Sequence, residues 1–477
     1  MPDPTRRSLL AAAAAAAVAP RPQLAEAPAE PPAEVLSPAA QDRPGRPGRP
    51  AEADPVPSRP AEAAAGAIGY QAWTTTADWA GGTAQGTAPT DDEDPPGIAV
   101  AAPAGTVDYL DPHTGTTATW EWASWTSPER PLDRPATQAV VSWNALTPAG
   151  TWLAVELTGS YTDGTRAPWY VMGRWAAGDQ DIRRTSVADQ QDGRSSIRTD
   201  TFAIDTPSSG LRLATCRLRL TLHRRPGSAL TPVVHRLGVV VSDLPDATEV
   251  PPTTPGPAAG TELAVPSYAQ EIHRGEYPQY DGGGEAWCSP TSSQMVIAYW
   301  GGTPTPADLA WVDPDYPDPQ VCQAARGTYD NQYQGCGNWP FNAAYAATYP
   351  GLQSLVTRLR SLTDAEQLVL AGIPVITSVS FLAGELDGAG YGTAGHLMVI
   401  TGFTTDGDVV ANDPAAPSDA AVRRVYPRRQ FENVWLRTRR TDAAGGTVDG
   451  SGGICYLYFP AAPTAEQSRA LAACGVR

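Results

Sequence analysis

From Cys216 to His223 the chain alternates strictly: Cys216, Leu218, Leu220 and Leu222 fall on one face, and Arg217, Arg219, Thr221 and His223 on the other. Successive side chains of a strand point to opposite faces, so this stretch is suited to a strand with one face on a core. The pattern recurs. Residues 119–122, 139–143, 152–157, 169–172 and 237–241 are short apolar segments separated by Gly, Pro, Asp and Asn turn signals, and helix-forming runs are nearly absent. Residues 66–247 are therefore expected to form an antiparallel β-sandwich domain. Nine of the fourteen tryptophans lie here. They either fill a two-sheet core or, where exposed, stack on sugar rings.

The segments around this domain have other compositions. Residues 1–27 resemble a twin-arginine export signal: Arg6 and Arg7 precede an alanine-rich run over 9–19, Pro20 follows, and small-x-small cleavage sites occur at 25–27 and 17–19. The run is too short and too weakly apolar to remain as a transmembrane anchor. A secreted or cell-envelope-associated protein is expected. Residues 28–65 are rich in Pro, Ala and Glu and read as a disordered tether. A second proline-rich linker, 248–262, separates the sandwich from a second domain over 263–477.

That second domain holds a cysteine in a reactive setting. Gly282 to Gly301 reads GGGEAWCSPTSSQMVIAYWG. The glycines give a permissive approach, Ser289 suits an N-cap, and Pro290 suits the first helical position. Ser292, Met295, Val296 and Tyr299 follow at helical spacing, with Gly301 and Gly302 as a stop. Cys288 thus sits at the positive end of a helix dipole, which favours the nucleophilic thiolate. A disulfide or an inert buried cysteine is the competing reading.

A cysteine nucleophile needs a base and an orienting group. Residues 397–403 and 409–412 read as two strands joined by the turn signal Thr-Thr-Asp-Gly-Asp. His396 enters the first strand and Asp413 leaves the second, so both stand at one end of a hairpin. Taken singly, either is an ordinary histidine or turn residue. Cys288, His396 and Asp413 together point to thiol-based acyl transfer.

The segments VPSYAQ (265–270), WCSPTS (287–292), GHLMVITGF (395–403) and VVANDPAA (409–416) resemble those of papain-like cysteine peptidases related to bacteriocin double-glycine leader peptidases, the peptidase family C thirty-nine-like group. The resemblance covers about residues 263–460. It implies a papain-like α+β fold and a catalytic triad of Cys288, His396 and Asp413. It also implies an oxyanion-hole glutamine, for which Gln270 is the match and Gln279 the alternative. A helix over 364–371 capped by Thr363, and strands over 375–381 and 454–459, would complete the plan. Residues 313–341 read as a long irregular insertion that either rims the active site or is purely structural. Trp287, Asp330, Asn338 and Trp339 are the expected substrate contacts.

The remaining residues narrow the chemistry. Of six cysteines, Cys322 with Cys336 is the expected disulfide, Cys455 with Cys474 a second, and Cys216 a buried strand residue. A net charge of −17 argues against a nucleic-acid partner. The five histidines show no metal-ligand spacing, and the acidic runs 91–94 and 313–318 lack a calcium-loop pattern, so neither metal nor cofactor is expected. The function expected is an exported cysteine peptidase acting on peptides or proteins, envelope substrates among them. A cell-envelope amidase or acyltransferase with the same triad, or a non-enzymatic surface-binding protein, are the alternatives.

Overall fold

The computed structural model describes residues 68–90 and 95–476. The export-signal and tether readings of 1–27 and 28–65, and the acidic run 91–94, fall outside the described residues.

In the N-terminal half the alternating run lies within strand Leu213–Arg224, which pairs with Thr151–Thr158 on one side and Thr117–Thr126 on the other, both antiparallel. Its inward residues Cys216, Leu218, Leu220 and Leu222 are fully buried. A second sheet is built around Gln138–Leu146 and Val233–Ser242. Among the described residues each sheet has seven strands, and the strand-to-strand pairings are antiparallel, so the inner faces can close on a shared core. Five of the nine tryptophans here, Trp73, Trp79, Trp125, Trp143 and Trp175, are buried in that core, and Trp120 and Trp152 are buried in a smaller cluster with Ala176 and Ile182. Of the other two, Trp169 is half-buried under the Arg219 guanidinium, 4.3 Å from its ring centre.

The C-terminal half is organised on one antiparallel sheet of six strands. In chain order they are β1 (Leu352–Arg358), β2 (Val375–Phe381), β3 (Thr393–Phe403), β4 (Val409–Asn412), β5 (Arg423–Tyr426) and β6 (Ile454–Pro460). Across the sheet the order is β1, β6, β2, β3, β4, β5. Helices α1 (Cys288–Tyr299), α2 (Pro319–Thr328) and α3 (Trp339–Ala346) form a layer on one face. Helices Leu362–Leu370 and Arg428–Leu436 cover the other. The apolar run in β3 follows from this burial on both sides. Leu397 and Val399 join the core under α1, while Met398 and Ile400 join the opposite one.

Three sequence expectations give way. The insertion 313–341 carries α2 and α3 rather than irregular chain. Pro319 opens α2, whose Val321, Cys322, Ala324 and Ala325 are buried, and the Asn338 side chain caps α3 by accepting from the Phe341 N–H at 3.1 Å. The helix expected at 364–371 starts at Leu362, with Ser361 rather than Thr363 in the cap position. The proline-rich stretch after 248 is docked on the C-terminal half. The Thr253 N–H donates to Glu432 Oε1 at 3.0 Å, the Gly256 N–H to Glu366 Oε1 at 3.1 Å, and the Leu263 N–H to the Thr401 carbonyl at 2.8 Å.

The two halves pack as one compact unit with a continuous hydrophobic core. The Phe341 ring, on α3, reaches into the sandwich 6.1 Å from Trp143 and 5.4 Å from Trp175. Edge strand β1 lies against strand Gln138–Leu146. There Asn144 Nδ2 donates to the Ser354 carbonyl at 2.8 Å, and the Ser354 N–H donates back to Asn144 Oδ1 at 3.1 Å. A sheet edge left open invites pairing with other chains, and the sandwich covers this one.

Candidate active site

Cys288 is the first residue of α1, with Trp287 in the cap position. The expected cap, Ser289, lies inside the first turn, where its hydroxyl meets the Tyr456 hydroxyl of β6 at 3.0 Å. Residues 289–297 are all buried, so α1 is enclosed on every side rather than amphipathic. Its polar side chains need partners there and mostly have them: Ser292 Oγ donates to the Leu397 carbonyl at 3.0 Å, and Ser293 Oγ meets Asn342 Oδ1 at 3.1 Å and the Tyr458 hydroxyl at 2.9 Å. Cys288 is half-buried at the N-terminal end of the helix, as are Ala298 and Tyr299 at the other. The approach to Cys288 is tight. A Cβ on Gly284 would collide with the Gln270 carbonyl oxygen and with His273, so glycine is required for the backbone to pass there.

The β3–β4 hairpin pairs Val399 with Asn412 and sets His396 and Asp413 at the same end. His396 Nε2 meets Asp413 Oδ1 at 2.8 Å, and Cys288 is near enough to the ring to favour its charged form. Since Nε2 is engaged by Asp413, Nδ1 is the nitrogen left for the thiol. Burial opposes a charged imidazole here, but the Asp413 carboxylate, with Cys288, outweighs it and holds His396 up at about 10. Asp413 is fully buried. Burial alone would raise its pKa, yet His396 and two tyrosine hydroxyls keep it well below the usual carboxylate range. Those hydroxyls belong to Tyr391, donating to Oδ2 at 2.8 Å, and Tyr426, donating to the same oxygen at 2.5 Å. The Ala415 N–H donates to Oδ1 at 3.0 Å.

Gln270 is buried, and its Nε2 donates to the Glu285 carbonyl at 2.8 Å, three residues before Cys288, while its Oε1 has no partner. Gln279 is exposed on a turn. Of the expected substrate contacts, three are closed to solvent. Trp287 is fully buried and donates from its indole to the Tyr280 carbonyl at 2.6 Å. Asp330 and Asn338 are fully buried and bonded to each other at 2.9 Å, with the Ser186 N–H of the sandwich donating to Asp330 at 2.9 Å. They brace a loop between the halves. Trp339 is half-buried, and its backbone N–H donates to Asp200 Oδ2 at 2.8 Å.

The disulfide expectation is also overturned, because all six cysteines are free. Cys336 donates to the Ala325 carbonyl at 3.4 Å, Cys322 faces His273 and Glu276, and Cys474 faces the Asp364 carbonyl at 3.7 Å. Nearness in sequence did not orient the sulfurs toward each other.

Residues 262–443, which contain Gln270, Cys288, His396 and Asp413, match the model of the Peptidase C39 like family, and residues 69–242 match that of the peptidase C39 N-terminal domain. The chain belongs to the C39-like peptidase family. A crystal structure of a Bacillus anthracis protein described as C39-like peptidase aligns with 42% of this chain and 97% of its own, at 16% identity and a TM-score of 0.26. No curated protein matches the chain.

Within this C39-like chain, sequence reasoning missed the tyrosines on Asp413. Tyr391 lies in the loop before β3 and Tyr426 ends β5, and only the sheet order brings them to one carboxylate. It also missed Tyr333, which is 47% exposed on the loop between α2 and α3 and near enough to Cys288 to feel its charge. An aromatic residue in a long loop beside GNWPFN was the available signal.

Proposed function

We propose that this C39-like protein is an exported cysteine peptidase that hydrolyses peptide bonds through a Cys288–His396–Asp413 triad. The observation that carries the reading is the His396 ring, held by a buried carboxylate on one nitrogen and facing a half-buried thiol at a helix N-terminus. The helix-on-sheet arrangement supports a papain-like assignment of the C-terminal half.

In the proposed reaction His396 Nδ1 takes the Cys288 proton, and the resulting imidazolium keeps its Nε2 proton on Asp413. The thiolate attacks the peptide carbonyl carbon. The developing oxyanion is received by the Cys288 backbone N–H and the second Gln270 amide N–H, donors worth about 3 kcal/mol each. His396 then protonates the leaving amine, a thioester remains on Cys288, and water activated by His396 releases the acid. The tyrosine hydroxyls satisfy the second oxygen of Asp413, leaving the first for the imidazole.

The substrate would be a peptide or protein, with the cell envelope as the proposed setting, since the Arg6-Arg7 segment supports export. Digestion of a peptide library by the mature chain tests the reading: the wild type cleaves, and Cys288→Ala has no activity with an unchanged circular dichroism spectrum. Full activity in that variant would refute it.

A further inference from the structure

A second cluster of reactive side chains lies behind the entry to α1. His273 Nδ1 is 2.7 Å from Glu276 Oε2, Cys322 Sγ is 3.8 Å from the same nitrogen, and Cys322 Sγ is 3.7 Å from the same oxygen. His273 and Cys322 are fully buried, and the Glu276 side chain is 11% exposed. A point about 2 Å from all three atoms lies between them, close to the zinc distances of about 2.0–2.3 Å for nitrogen, oxygen and sulfur donors.

We propose that His273, Glu276 and Cys322 form a binding site for a divalent transition-metal ion of the zinc class. A thiolate, an imidazole and a carboxylate together suit borderline-soft zinc better than magnesium or calcium, which take oxygen donors. Binding would release the Cys322 thiol proton to solvent. The slight exposure of Glu276 offers the side from which the ion enters and a fourth ligand such as water is added.

The location gives the site a purpose. His273 and Glu276 belong to the turn that follows Gln270, the His273 ring lies 5.9 Å from that of Trp287, and Cys322 is on α2. An ion held by all three would clip the segment carrying Gln270 and Trp287 to α2 and so fix the approach to Cys288. Sequence reading expected no metal because the third donor comes from a helix 49 residues beyond the histidine.

The test is cobalt substitution in the full chain carrying Cys288→Ala, which removes the other thiol that faces a histidine. After chelation and addition of Co2+, a thiolate-to-cobalt charge-transfer band should grow to one equivalent, with visible bands of four-coordinate cobalt, and Zn2+ should displace it. The band should vanish in Cys322→Ser and titrate at least tenfold more weakly in Glu276→Gln, each checked for folding by circular dichroism. If Cys322→Ser fails to fold, Glu276→Gln and the stoichiometry of the Cys288→Ala chain still decide. Absence of a charge-transfer band in Cys288→Ala, its persistence in a folded Cys322→Ser, or unweakened binding in a folded Glu276→Gln would overturn the proposal.

Discussion

Replacing Asp413 with Asn removes a charge while keeping an acceptor for His396 Nε2 and a polar group for the Tyr391 and Tyr426 hydroxyls. The consequence can be worked from the histidine. Bringing His396 from about 10 back to the ordinary 6.5 removes about 5 kcal/mol of preference for the imidazolium, more than three powers of ten. Burial opposes this preference and the Cys288 side chain adds to it, with Asp413 the larger of the two raising partners. Peptide cleavage requires the imidazolium as proton donor, so the alkaline limb of kcat/KM should move down by roughly three pH units. At pH 8 that amounts to a loss of about thirtyfold, with a much smaller effect near pH 6.

The sign for stability follows from the same pair. A raised histidine pKa stabilises the fold in full below the unfolded value of 6.5, and this is lost as the pH climbs through about 10. The depressed Asp413 pKa expresses the same interaction from the acid side, present above the ordinary 3.8 and lost on acidification. Proton NMR of the His396 ring across pH 5–11, alongside the rate profile, measures both consequences. A ring pKa and an alkaline limb that stay within about half a unit of wild type would refute the assignment of the shift to the Asp413 charge.

Three further outcomes are expected. Gln270→Ala should lower kcat about 10²- to 10³-fold while leaving the alkylation rate of Cys288 by iodoacetamide unchanged, since it removes an oxyanion donor and not the base. Phe341→Ala should cost about 3–5 kcal/mol in urea unfolding, and both halves should still unfold in a single transition, because the ring lies in the core they share. Two separate transitions in the wild type would contradict that shared core. Tyr333→Ala should raise KM severalfold with an unchanged Tm, because the residue is 47% exposed and within electrostatic reach of Cys288.

Much of the fold was legible in local patterns. The alternation at Cys216–Leu222 encodes a strand by spacing alone, and β2 and β4 occupy the residues expected from their apolar runs and turn signals. The hairpin also indicated that His396 and Asp413 share an end. Local signals were misread where two of them competed: Ser289 has a capping residue's chemistry, but the Tyr456 hydroxyl claims it and the helix begins two residues earlier than expected, at Cys288. The start signals of α2 and α3 were present in the sequence, Pro319 at the first helical position and Asn338 as a cap, and were obscured by the polar, proline-rich stretch around them.

By itself, then, the sequence determined several strands of the sandwich, the existence of the helix carrying Cys288 and the hairpin that carries the histidine. These depend on backbone preferences and side-chain periods spanning a few residues. Tertiary structure alone decided that Tyr391 and Tyr426 share Asp413, that Cys322 turns to His273 and Glu276 rather than Cys336, and that Phe341 inserts into the tryptophan core of the other half. The physical reason is that such meetings depend on the order of strands in a sheet and on how layers pack. Neither is encoded in the spacing of the residues that finally touch.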